Sequence, residues 1–239
     1  MGLPVFLVEE LPGGDSCRLD GPEGHHASVV QRLRVGEALI LADGRGGTAS
    51  ALVTAVGKGT LDTRITTRSN VAAPDPTITV VQGIAKGDRG ELAVATMTEV
   101  GVDAIVPWAA ARSVARWKDE RPLQRWRSTA RESAKQARRA WLPPVRPGAK
   151  TAEVALLLGK ASGAYVLHEA ADVALSTVPL PPAGEIVLVV GPEGGVDDAE
   201  LAAFTAAGAV PVRMGPTVMR TSTAGAAAVA ALSVRLGRW

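Results

Sequence analysis

Residues 187–200 read VLVVGPEGGVDDAE, an apolar run that breaks at a glycine turn. Four apolar residues in a row, with no polar alternation, suit a strand buried on both faces. They run into Gly191-Pro192-Glu193-Gly194-Gly195, where no regular element can continue. Asp197 and Glu200 then stand three apart, the spacing of a capping box, and Leu201, Phe204 and Ala207 follow on one helical face. The segment is therefore a strand, a tight turn and a helix. Ligands of open α/β sheets bind at such strand ends, where glycines let the backbone come close and amides grip polar edges. No Lys-Ser/Thr pair follows, and the glycines do not fall as GxGxxG, so neither a Walker loop nor a dinucleotide fingerprint is present. The same residues would also make a plain structural turn.

The same strand-and-helix rhythm holds from Pro74 to the end of the chain. TITVVQGI (77–84), DAIVPW (103–108), GAYVLHE (163–169), EIVLVV (185–190) and VPVRM (210–214) read as strands. Helices are predicted from Asp88 to Val100, from about Pro122 to Trp141, from Asp197 onward, and from Thr221 to Leu236. This alternation is an α/β fold with a mostly parallel sheet covered by helices. Before Val71-Ala-Ala-Pro74-Asp75-Pro76 the pattern is one of short strands and turns, with a hairpin signal at Asp43-Gly44 and Gly46-Gly47 and one helical stretch, His25 to Leu33. That suggests a small barrel over residues 1–73 and a second domain over 74–239.

With 239 residues, 46% of them apolar and 21% charged, the chain can bury a core without staples and is not disordered. The lone Cys17 excludes a disulfide framework, and with only His25, His26 and His168 beside it no metal cluster is expected. No apolar run spans a membrane, and MGLPVFLVEELPGGD has no basic n-region, so a cytoplasmic protein is expected. The net charge of +2 hides an asymmetry. Between Arg112 and Arg146 eleven basic residues face three acidic ones, a net of +8, leaving −6 for the rest. Trp117, Trp126 and Trp141 are interleaved with them. Such a stretch suits phosphate contacts with base or sugar packing, although a charge run is usually a solvated helix face.

Two more loops resemble the glycine turn in placement. In VRMGPTVMRTSTAGAAAVAAL (212–232) a strand ends at Met214, Gly215-Pro216 turns the chain, and Arg220 precedes the closing helix, which Thr221, Ser222 or Thr223 can cap. A packed turn has no need of that Arg. Val166-Leu167-His168-Glu169 ends another strand, and a lone His there is more often structural than catalytic. Three strand-end loops of one sheet could share a pocket. Cys17 lies outside it, which argues against a covalent cysteine mechanism.

These residues resemble the bacterial 16S ribosomal RNA uridine-N3 methyltransferases of the knotted SPOUT superfamily over nearly the whole chain. His26 with VVQRLRVGE, KGDRGELAVATMTEVGV (86–102), Arg112-Ser113-Val114, RWRSTARESAKQARR with Glu132, Gln136 and Arg139, then LHE, GPEGG and RMGPTVMRTSTA follow the family's motifs in order. The departures are Ala95-Thr96 for a Gln-Lys pair, Arg138 for a Gly, Ser222 for an acid, Val196 for an aromatic, and Leu3-Pro4 where an Arg is usual. The resemblance implies an N-terminal PUA-like barrel, a C-terminal domain with a deep trefoil knot, a homodimer, and S-adenosylmethionine as methyl donor. It would put the cofactor against Leu167, His168 and Glu169, against Val190, Gly191, Pro192, Glu193, Gly194 and Gly195, and against Met214, Gly215, Pro216, Val218, Met219, Arg220 and Thr223. RNA would meet His26, Arg32, Arg34, Lys86, Arg89, Arg112, Arg131, Lys135, Gln136 and Arg139. The substrate would be one uridine in the decoding region of 16S rRNA, within the 30S subunit.

Methylation at uridine N3 requires loss of the imide proton and an in-line approach of the nitrogen to the methyl group, with no metal. Arg220 is the catalytic candidate that could steady the uracil anion, or it could form a brace to Glu193. Glu193 and His168 are candidate bases by location alone. The rival classes are a non-catalytic RNA-binding or assembly factor with a degenerate pocket, and the same chemistry on another RNA. The intact Gly191, Gly194, Gly195 and Arg220 argue against the first.

Overall fold

A computed structural model describes residues 2–239. The chain forms two compact units, one of residues up to Ala73 together with Ala134–Leu142, the other of Pro74–Ser133 and Pro143–Trp239. No helix among the described residues is long and apolar enough to cross a membrane.

In the first unit β1 (Val5–Leu7), β2 (Ser16–Leu19), β3 (Ala38–Ala42), β4 (Gly47–Gly57) and β5 (Thr60–Asn70) form one sheet in the order β1-β3-β4-β5-β2. Asp43 Oδ1 accepts the amides of Arg45 and Gly47, which makes the β3–β4 turn that the Asp-Gly signal predicts. Register shifts at Ser50/Ala51 and Val53/Ala55 bend the long β4–β5 ribbon round Phe6, Leu39, Leu41 and Leu61, all fully buried. The helical stretch begins earlier than predicted: α1 covers Gly21–His25, and a π turn, His26–Val30, continues it. The segment 134–142 joins this unit through specific bonds. Trp141 Nε1 donates to the Val71 carbonyl at 2.9 Å, and the Leu142 amide to the Gly44 carbonyl at 2.9 Å.

The second unit carries β6 (Thr77–Gly83), β7 (Ala104–Trp108), β8 (Gly163–Leu167), β9 (Glu185–Val190) and β10 (Val210–Val212), all parallel, in the order β10-β8-β9-β6-β7. The continuous apolar run of β9 follows from burial on both faces. Ile186, Leu188 and Val190 pack with α2 (Arg89–Glu99) and α6 (Thr221–Arg235); Val187 and Val189 pack with α4 (Thr151–Leu158) and α5 (Asp198–Ala206). Asp197 caps α5 by accepting the Ala199 amide at 3.0 Å, and Glu200 returns the bond to the Asp197 amide, so the predicted capping box is present.

Four further elements depart from the sequence reading. The basic helix, α3 (Arg121–Gln136), stops five residues short of Trp141 because Arg138 takes a left-handed φ of 53° and the Arg139 amide closes back on Ala134. Strands β8 and β10 end at Leu167 and Val212, two residues early, where their loops begin. Helix α4 was not foreseen, because TAEVALLL has no one-sided stripe and Leu156 is exposed.

Candidate active site

Strands β10, β8 and β9 are neighbours and parallel, so the loops after Val212, Leu167 and Val190 emerge at one edge of the sheet. They surround a cavity of about 600 Å³. Fifteen of the sixteen residues expected at a cofactor line it, from Leu167–Glu169, Val190–Gly195 and Met214–Arg220. Thr223 does not: it lies in the first turn of α6, exposed, with its hydroxyl on the Arg220 carbonyl at 3.1 Å. The wall also includes Arg89 and Arg112, read from sequence as RNA contacts, and Arg213, Thr217 and Thr221, which sequence reasoning passed over.

The glycine turn owes its shape to two different demands. Gly195 has a φ of 74°, which L side chains rarely adopt, and its amide closes the turn on the Pro192 carbonyl at 2.9 Å. Gly194 has an ordinary backbone conformation, but a Cβ there would stand 3.0 Å from Arg112 Cβ and 3.2 Å from its carbonyl. Arg112 in turn binds Asp197 at 3.4 Å and reaches the carbonyls of Gly194 and Val196 at 3.4 Å. Beneath the turn, buried Glu200 accepts from the Ala111 amide and the Thr151 hydroxyl, both at 2.8 Å, and Trp108 Nε1 donates to the same hydroxyl at 3.3 Å. One carboxylate thus ties the loop after β7, the start of α4 and the cap of α5 together. The capping spacing revealed Glu200 as local; its two distant donors left no sequence signal.

Glu193 accepts the Lys86 amide at 3.1 Å and pairs with Arg89 at 3.2 Å. Partial burial opposes its ionisation, but the amides of Glu193 and Lys86 and the Arg89 guanidinium outweigh that and hold the carboxyl below the usual range. This corrects two expectations. A carboxylate stabilised in its charged form is a poor proton acceptor, so Glu193 is not suited to act as a base. It is also engaged by Arg89, so Arg220 does not brace it. Arg220 occupies the N-cap position of α6, where its carbonyl accepts from Thr223 and Ala224 at 2.9 Å, and its exposed side chain borders the cavity. His168 Nδ1 accepts the Ala170 amide at 3.3 Å.

The chain matches the family profile described as an RNA methyltransferase domain over residues 73–233, and that of the RNA methyltransferase PUA domain over 19–66. A Mycobacterium tuberculosis protein named ribosomal RNA small subunit methyltransferase E is 45% identical over 98% of this chain and 93% of its own length. The chain belongs to the ribosomal RNA small subunit methyltransferase E family. A Bacillus subtilis protein of the same name is 28% identical over 95% of this chain and 91% of its own. Two solved structures superpose over 98% of both chains with a TM-score of 0.89: the Neisseria gonorrhoeae enzyme of that name bound to S-adenosyl methionine, 29% identical, and a Legionella pneumophila protein in complex with the same cofactor, 27% identical.

The residues assigned to RNA fall into separate groups. Arg32, Arg34 and Gln136 are exposed, and His26, Arg131 and Arg139 are half-buried. Lys135 is a correction. Its ammonium is buried against Glu23 at 3.1 Å, with His26 Nδ1 at 3.4 Å, so it has no free face for a phosphate. Two family departures prove to be neighbours: the Thr96 hydroxyl on α2 lies 3.5 Å from the Ser222 carbonyl on α6. Burial and Asp20 push the half-buried Cys17 thiol up, which disfavours its reactive thiolate.

Proposed function

We propose that this protein transfers a methyl group from S-adenosylmethionine to N3 of one uridine in the decoding region of 16S rRNA, within the small ribosomal subunit. The observation that carries this reading is the cavity at three adjacent strand ends, walled by the glycine turn and Arg220, in a chain of this family. The residues present fit such a cofactor. The volume is that of a small-molecule site, Leu167, Val190 and Met214 give it apolar surface, and a Cβ at Gly215 would enter open space. When bound, the sulfonium supplies an activated methyl and a neutral leaving group.

The chain's own contribution is positioning and charge. Glu200 and Arg112 hold the glycine turn, and Glu193 holds Arg89 at the rim. The Arg220 guanidinium and the amino end of α6 favour the negative charge that spreads over the uracil oxygens as N3 loses its proton. Arg stays protonated, so it cannot be the base. N3 lies on the Watson–Crick edge, so the base must be unpaired or splayed out. Arg32 and Arg34 of the PUA-like unit would contact RNA phosphates. Homodimer formation, a cytoplasmic setting and the trefoil knot belong to the same reading. For the knot, the support is that β10 lies outside β8 while α6 returns to β6 and β9.

The test is transfer of isotope-labelled methyl from S-adenosylmethionine to purified small subunits from cells lacking the gene, followed by nucleoside mass spectrometry. Label in 3-methyluridine is expected. Cofactor binding without label in any nucleoside would leave an assembly factor instead.

A further inference from the structure

We propose that Gln82 and Gly83, the last two residues of β6, are positioning residues that seat the glycine turn and the start of α6 around the cavity. The inference rests on the cofactor reading of that cavity. Gln82 is fully buried, and its Nε2 donates to the Thr221 hydroxyl at 2.9 Å and to the Gly83 carbonyl at 3.2 Å. The Thr221 hydroxyl has a single hydrogen, and it goes to the Gly191 carbonyl at 2.7 Å. Thr221 must then accept from Gln82, which fixes the orientation of the amide. A relay runs from β6 through the first residue of α6 to the first residue of the glycine turn. Thr221 and Gly191 both line the cavity.

Gly83 acts sterically. A Cβ there would lie 2.5 Å from Pro192 N, 2.7 Å from its Cδ and 2.9 Å from the Gly191 carbonyl carbon, so the turn sits where only a glycine permits. One helical turn beyond Thr221, a Cβ at Gly225 would meet Met97 Sδ at 2.6 Å and Gln82 Oε1 at 3.5 Å, so α6 rests close on the same side chain. Packing alone does not call for Gln82. Its Oε1 is buried without a partner among the described residues, a cost that an apolar side chain would avoid.

The test compares Gln82→Met, Thr221→Val, their double variant, Thr221→Ser and Gly83→Ala with the wild-type chain. S-adenosylmethionine affinity is read by calorimetry, and amide exchange over 191–197 is followed in the ligand-free protein. Losing one buried hydrogen bond should raise Kd about tenfold for Gln82→Met, and Thr221→Val, which removes two, should lose at least as much. The double variant should be no worse than Thr221→Val, because both break one relay. Thr221→Ser should stay within about twofold of wild type, and Gly83→Ala should lose more than tenfold. Exchange over 191–197 should quicken in each weakened variant. Unchanged affinity and exchange in Gln82→Met or Thr221→Val, or additive losses in the double variant, would overturn the proposal. If Gln82→Met or Gly83→Ala fails to fold, the Thr221→Val and Thr221→Ser pair decides it. If the wild-type chain itself binds no S-adenosylmethionine, the cofactor reading fails, and amide exchange alone still decides the positioning role.

Discussion

Lys135→Met distinguishes a basic residue that binds RNA from one that holds the fold. From sequence Lys135 belongs to the basic stretch, but in the structure its side chain is 6% exposed and that of Glu23 12%, with the charges 3.1 Å apart. Breaking a buried pair by removing one partner costs up to about 3–5 kcal/mol. At about 2–4 °C per kcal/mol for a chain of this size, the melting temperature should fall by roughly 10 °C. A phosphate contact behaves differently. Its loss would lower the slope of log affinity against log salt by about 0.7 on single-stranded RNA, with stability hardly changed. Calorimetric unfolding and RNA titrations at several salt concentrations read both quantities. A melting temperature within about 2 °C of wild type, together with a reduced slope, would refute the buried-pair account.

Arg220→Ala should slow single-turnover methylation by about two orders of magnitude while S-adenosylmethionine affinity changes little; equal losses in both would make it a binding residue. Glu193 should contribute stability above the usual carboxylate range, lost as the pH falls through its lowered folded-state value. Glu193→Gln should therefore flatten the acid limb of the stability–pH curve, and methylation near neutral pH should escape the loss of about 10²–10⁴ that removing a general base brings. Gly195→Ala, forced to a φ of 74°, should cost about 1–2 kcal/mol and weaken cofactor binding, as calorimetry would show. Gly194→Val should abolish binding through collision with Arg112 rather than with the cofactor; binding near wild-type affinity would show that the turn can yield.

The second unit was legible wherever a local rule acts alone. EIVLVV is buried on both faces and reads as such, and Asp197 with Glu200 announces the start of α5. The three strand-end loops were also found, two of them through glycine and proline and the third through His168-Glu169 at the end of a strand. Features that depend on long-range contact were not. Nothing local distinguishes Lys135 from Arg131; burial of the former depends on Glu23, more than a hundred residues away. Arg138 could be seen as a departure from a usual Gly, yet its left-handed φ, which ends α3 early, appears only in the fold. Thr223 looked equivalent to its neighbours in RTSTA, but helical phase turns Thr221 and Ala224 to the cavity and Thr223 away. Glu193 stood beside the cavity in either view, and only its bond to Arg89 assigns it a holding role.

Nucleoside mass spectrometry of small-subunit rRNA from a strain lacking this gene, with and without the gene restored, reads the proposed methylation in the cell. One 3-methyluridine per small subunit should vanish with the gene and return with the wild-type copy, but not with the Arg220→Ala copy. Undiminished 3-methyluridine in the deletion strain, or restoration by a chain that cannot bind S-adenosylmethionine, would show that this protein is not the methyltransferase.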